Sequence, residues 1–117
     1  MNVQIDKHSV TYDPDTATIS CSGFLDLRGK DGYKNIASLL DMVVSQTPVP
    51  ETIILDIREL EFLNSSGITT LGGFVIKLRN KGGIRLIVKC SEEYSWQTKS
   101  IKGLSKLIPN SIEINYE

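Results

Sequence analysis

Leu55-Asp56-Ile57-Arg58-Glu59-Leu60-Glu61-Phe62-Leu63-Asn64-Ser65-Ser66-Gly67-Ile68 is the stretch from which the fold is read. It opens inside the nearly continuous apolar run Thr52 to Ile57, the pattern of a strand covered on both faces. A short polar turn is expected to follow that strand. A helix then begins at Asn64-Ser65-Ser66-Gly67, because Asn and Ser side chains accept hydrogen bonds from the unpartnered N–H groups of a first turn. Ile68, Leu71, Val75 and Leu78 sit at i, i+3, i+7 and i+10, which predicts one buried seam along a helix from Ser66 to Asn80. Gly82-Gly83 closes it, since glycine takes the left-handed conformation that ends helices.

The same alternation extends outward. Upstream, Ser9 to Tyr12 and Thr16 to Gly23 read as two strands around the turn Asp13-Pro14-Asp15. Ile19, Cys21 and Gly23 fall on one face of the second strand. Gly32 to Gln46 reads as a helix with Tyr33, Ile36, Leu40 and Val43 on its stripe, stopped by Pro48 and Pro50. Downstream, Ile84 to Cys90 is a buried strand, Tyr94 to Leu107 a weaker helix, and Ile112 to Tyr116 a final short strand. Strands alternating with crossover helices imply an α/β domain: a mixed sheet with an N-terminal hairpin and parallel inner strands packed against helices.

With 117 residues, 40% hydrophobic and 23% charged, the chain is expected to form one domain over residues 1–117 without metal or disulfide staples. Its formal net charge of −1, with both signs mixed along the sequence, argues against a nucleic-acid surface and against a polybasic membrane surface. No apolar stretch approaches the roughly 20 residues of a bilayer span, and the first residues lack a signal-peptide run. Cytoplasmic placement is expected, with Cys21 and Cys90 as buried thiols.

Catalytic patterns are missing. His8 is the only histidine, expected to be exposed or on an edge strand, and nothing local pairs it with a nucleophile. No metal-ligand spacing, Gly-rich nucleotide loop or P-loop occurs, so no cofactor is expected. A serine enzyme built on Ser65 or Ser66 would lack a general base. The expected class is a non-enzymatic protein.

Asn64-Ser65-Ser66-Gly67 is explained by capping alone, but it also suits a phosphoryl group. A phosphate adds about −1.5 to −2 charge beside helix-start N–H groups that favour anions. A partner packed over the same spot would be disrupted. Gly72-Gly73 sits mid-helix at a cost of about 0.8–1.0 kcal/mol per glycine relative to alanine, which close approach of another backbone or a partner would offset. Thr70, Phe74 and Lys77 lie on a face rotated from the apolar seam. Phe74 is read either as an outward contact or as a ring folded over the core edge. Trp96 is read either as a partner anchor or as a core plug.

Asp56 to Gly83 resembles the signature of STAS domains, the fold of bacterial anti-sigma-factor antagonists, in which a buried strand leads into Asp-Ser-Ser-Gly, an amphipathic helix and a closing Gly-Gly. Gly23-Phe24-Leu25-Asp26 resembles the family's Gly-Glu-Leu-Asp, and Gly103 to Ile108 its Gly-Leu-x-x-Ile segment. The resemblance implies partner switching: a protein kinase of the histidine-kinase-like ATP fold phosphorylates the serine, a PP2C-type phosphatase reverses it, and only the unphosphorylated form engages its target. By position Ser65 is the acceptor, or less favourably Ser66. Asp26, Asn64, Ser66, Gly67, Thr70, Gly73, Phe74 and Lys77 are expected to contact partners. Three departures stand out. Asn64 replaces the aspartate, Phe24 replaces the glutamate, and a C-terminal helix found in many relatives is not expected, since Glu117 follows soon after the last strand. The alternative reading is a STAS scaffold or small-ligand or nucleotide sensor without a phosphate switch.

Overall fold

The apolar run Thr52–Ile57 becomes the first half of a longer central strand. In the computed structural model, which describes the backbone of residues 2–5 and the whole of residues 8–117, the elements run β1 (Asn2–Ile5), β2 (His8–Asp13), β3 (Thr18–Leu25), α1 (Gly29–Gly32), α2 (Lys34–Val44), β4 (Thr52–Leu63), α3 (Ser65–Lys81), β5 (Arg85–Cys90), α4 (Ser95–Ser105) and β6 (Ile112–Tyr116). One six-stranded sheet takes them in chain order, β1-β2-β3-β4-β5-β6. β1–β2 and β2–β3 pair antiparallel, while β3–β4, β4–β5 and β5–β6 pair parallel. The hairpin turn between β2 and β3 is closed by Asp15 N–H donating to Asp13 Oδ1 at 2.9 Å, the local bond that makes aspartate a turn residue.

Strand period sorts the sheet into two faces. Val10, Ile19, Leu55, Ile57, Leu86 and Val88 are buried and face the helices, together with Leu39, Val43, Val75, Leu78 and Ile101. Each such side chain contributes about 1.5–3 kcal/mol by leaving water. The opposite face carries half-buried rows, Thr18–Ile54–Ile87–Glu113 and Ser20–Asp56–Lys89–Asn115, across β3 to β6. On this face, burial works to raise the Asp56 carboxyl. Hydrogen bonds and charge from Arg58, with Lys89 further off, hold it below the ordinary carboxylate range. Cys21 and Cys90 are free and buried; burial, helped by the charge of Asp56, pushes their thiols up to about 12 and about 11, so both stay protonated near neutrality.

Four sequence expectations are corrected here. The polar turn expected after Ile57 is strand. β4 runs on to Leu63 through two register shifts against β3, between Ser20 and Ser22 and between Gly23 and Phe24. Its buried residues beyond Leu55 are Ile57, Leu60 and Leu63, a spacing of three that imitates a turn because each bulge inserts one residue. The helix expected over Gly32 to Gln46 is α2, Lys34–Val44; Gly32 instead ends a separate short turn of helix, α1, with Tyr33 between the two. His8 is buried, in a strand paired on both sides by β1 and β3, so it is neither exposed nor on an edge. Ile68 is only partly buried and packs at the margin of the core.

The bulged strand leaves main-chain groups beyond the β4–β5 ladder, which ends at Asp56–Lys89. Helix α4 supplies their partners. Gln97, fully buried, donates through Nε2 to Ile57 O (2.7 Å) and Leu60 O (2.9 Å), while its Oε1 accepts from Ser91 N at 2.9 Å. Trp96 Nε1 also donates to Leu60 O at 3.0 Å. Of its two readings, Trp96 takes the core role, partly buried with its indole tied to β4. Thus α4 pins the end of the strand that delivers Asn64.

Candidate functional site

At the carboxyl end of β4, backbone pairing stops and Asn64 N–H donates to Leu25 O at 3.1 Å, fixing the loop against β3. Asn64 then caps α3. Its Oδ1 accepts from Gly67 N at 3.0 Å, and the Tyr33 hydroxyl reaches the same oxygen at 2.6 Å and Leu25 O at 3.1 Å. The other half of the amide is used too, since Nδ2 donates to Leu27 O (2.6 Å) and Asp26 Oδ1 (3.2 Å). An ionised aspartate could make neither donation. The departure from the family's aspartate is therefore matched by acceptors around this amide. Burial, followed by the charge of Asp26, raises the Tyr33 phenol above its ordinary value, so it remains a donor at neutral pH.

Ser65 is the first residue of α3 and is exposed; Ser66 is half-buried. Gly67 N–H is spent on the cap and Ile68 N–H on Asn64 O. The N–H groups of Ser65 and Ser66 remain free of helix bonds, as the first turn of any helix dictates. No acidic residue belongs to this turn itself, and Asp26, bonded to the Asn64 amide, is a carboxylate set beside its positive end. Thr69 and Thr70 hydroxyls donate back to Ser65 O (3.0 Å) and Ser66 O (2.9 Å), further ordering the turn.

Gly67 is required by close approach. A Cβ there would lie 2.2 Å from Leu63 Cδ1 and 2.7 Å from the Tyr33 hydroxyl. Gly67→Ala is expected to lower stability by about 1–3 kcal/mol by overpacking, partly offset by helix propensity. Shortening the obstructing side chain with Leu63→Ala should make the pair of substitutions less than additive in urea denaturation.

Beyond the first turn, α3 and α2 bound a groove of about 410 Å³. Thr70, Gly73, Phe74 and Lys77 line it from α3, and Lys30, Lys34 and Asp41 from the α1–α2 side. Of its two readings, Phe74 takes the core one rather than the outward contact: it is 3% exposed, and its ring closes the core beneath the groove. Lys77 is exposed and pairs with Asp41 across the groove. A Cβ on Gly72 would meet only the ends of Leu104 and Leu107, at 4.0 and 3.8 Å, and one on Gly73 nothing within 4 Å. Among the described residues, no backbone approach offsets the Gly73 cost. Gly73→Ala is expected to raise stability by about 0.5–1 kcal/mol, read as an increased melting temperature.

Asp26, Asn64, Ser65, Ser66 and Gly67 are thus brought together at one end of the sheet, with Thr70, Gly73 and Lys77 leading away along α3. Among the described residues, no group of three His, Cys, Asp or Glu could hold a metal ion. No helix among them is long and apolar enough to cross a membrane. Sequence reasoning missed Tyr33 as the buttress of Asn64, because its helical spacing marked it as core. It also missed Gln97, whose polar side chain gave no burial signal.

Residues 13–111 match the family model of the STAS domain, which covers most of the chain. The chain belongs to the STAS-domain family. Among solved structures, the STAS domain described here is similar to SiaC of Pseudomonas aeruginosa, the activator in a complex with the diguanylate cyclase SiaD. The two share 11% identity at a TM-score of 0.74, over 100% of this chain and 99% of the other, a likeness of fold. No curated protein matches the sequence.

Proposed function

We propose that this STAS domain is a non-enzymatic regulatory binding protein whose hold on a partner is released by phosphorylation of Ser65. The observation that carries this reading is the exposed Ser65 hydroxyl on the first residue of α3, beside two N–H groups without helix partners. Asn64, Tyr33 and Gly67 order that turn in advance, so a kinase meets a fixed acceptor. A phosphate of about −1.5 to −2 charge sits favourably at this helix end and leaves the domain folded. The same charge buried under a partner costs several kcal/mol. Ser65 is preferred to Ser66 because Ser66 is half-buried behind it.

The partner-binding surface in this reading is the Ser65 turn continued into the α2–α3 groove, with Asp26, Thr70, Gly73 and Lys77 at its margins. The modifying enzymes are a kinase of the histidine-kinase-like ATP fold and a PP2C-type phosphatase, by resemblance to anti-sigma-factor antagonists. SiaC, which shares the fold, occurs in complex with an enzyme, in keeping with a protein partner here. The test uses Ser65→Ala and Ser65→Glu chains as bait in the native cell. A partner retained by the first and lost by the second supports the switch; equal retention by both overturns it.

A second reading is favoured by the groove itself. Its three lysines, Lys30, Lys34 and Lys77, suit a small anionic ligand in a STAS sensor. Saturable thermal stabilisation by one member of a nucleotide panel, abolished by Lys77→Ala, supports that reading, and a flat panel removes it.

A further inference from the structure

The end of the sheet that carries Asn64 also exposes two aromatic rings that the fold does not use. Phe24 and Phe62 are 49% and 38% exposed and stack at a centroid distance of 6.1 Å. They are register partners across β3 and β4, beside Leu25 and Leu63, which point into the core. The rings therefore project from the face opposite the helices. The second β4 bulge brings them into register by inserting Glu61 between Leu60 and Phe62. Stacked rings in water forgo the burial that makes aromatics useful, and a paired exposure on ordered strands marks a contact surface more strongly than single exposed side chains do.

Among the described residues, the end of β4 and the turn after β5 are rich in carboxylates. Glu59 and Glu61 are exposed on the same strand, and Glu92 and Glu93 are exposed just after β5. Tyr94, half-buried as a residue, stands among them: lost hydration, then the charges of Glu93, Glu61 and Glu59, raise its phenol above the ordinary value. A hollow of about 380 Å³ joins Glu59, Glu93 and Tyr94. Among the described residues its one cation is Arg58, already held by Asp56 at 2.8 Å and Glu117 at 3.2 Å. Nucleic acid and anionic lipid are disfavoured by this sign of charge. An arginine side chain fits both halves of the surface, since its planar guanidinium stacks on aromatic faces and bonds carboxylates in pairs.

We propose that the Phe24–Phe62 pair with Glu59, Glu61 and Glu93 is a docking surface for a basic, arginine-containing segment of a partner protein. It lies on the sheet face away from the α2–α3 groove and does not depend on phosphorylation of Ser65.

The probe is a random peptide library displayed on phage and panned on the unphosphorylated full chain. Enriched peptides are then titrated against wild type, Phe24→Ser/Phe62→Ser and Glu59→Gln/Glu61→Gln, each checked for an unchanged melting curve. The expected result is enrichment of arginine beside an apolar residue, with affinity falling about tenfold or more in both double variants. No enrichment, enrichment without basic residues, or binding retained by either variant overturns the proposal. Self-association in sedimentation equilibrium that vanishes in Phe24→Ser/Phe62→Ser also overturns it, and names a second copy as the occupant. Because Ser65 is untouched throughout, failure here leaves the phosphate switch standing.

Discussion

Phosphoserine installed at position 65 is expected to leave the domain folded and to remove its partner. Stability is expected to hold or rise by about 0.3–1 kcal/mol, because the new charge meets the free N–H groups at the start of α3. Partner affinity is expected to fall about a hundredfold or more, since several kcal/mol are lost when an unpaired anion is buried and each 1.4 kcal/mol is tenfold. The two effects have opposite signs and separate cleanly. A thermal melt reads the first and a binding titration of the modified and unmodified chains reads the second. A fall in both would mean that the phosphate damages the fold. Undiminished affinity would mean that Ser65 lies outside the interface.

Gln97→Leu is expected to cost about 2–4 kcal/mol, because it strands two buried main-chain groups. Leucine fills the space but leaves Ile57 O and Ser91 N without the Gln97 amide, while Leu60 O keeps the Trp96 indole. Urea denaturation checks the magnitude. Amide exchange is expected to speed up at Leu63 and Asn64, because the end of β4 loses its anchor. Gln97→Glu keeps the acceptor for Ser91 N and loses both donations. Burial raises its folded pKa, so its deficit is full above that pKa and shrinks as pH falls through it. A variant as stable as wild type at neutral pH would contradict the role assigned to α4.

What was legible in the sequence follows from periodicity and capping. The α3 seam through Leu71, Val75 and Leu78, the Asn64 cap, the Gly82-Gly83 stop and the strand at Ile84 all express local rules, and the local and global structure agree there. The second half of β4 was hidden because its two bulges replace a period of two with a spacing of three. Phe74 falls off the main seam, yet α2 packs beside α3 and widens the buried stripe to include it. His8 looked peripheral because β1, which covers its strand, gave no recognised pattern. At the site, the serine turn was readable from residue types alone. Its buttress was not, since Tyr33 reaches Asn64 across 31 positions of chain and only the tertiary fold brings them together.

The most direct test of the central claim is phosphosite mapping of the protein purified from its native cell with phosphatases inhibited. The account predicts a phosphate on Ser65, present in part of the population and changing with growth or stress conditions. A chain that carries no phosphate on the Asn64-Ser65-Ser66-Gly67 peptide under any condition would contradict it.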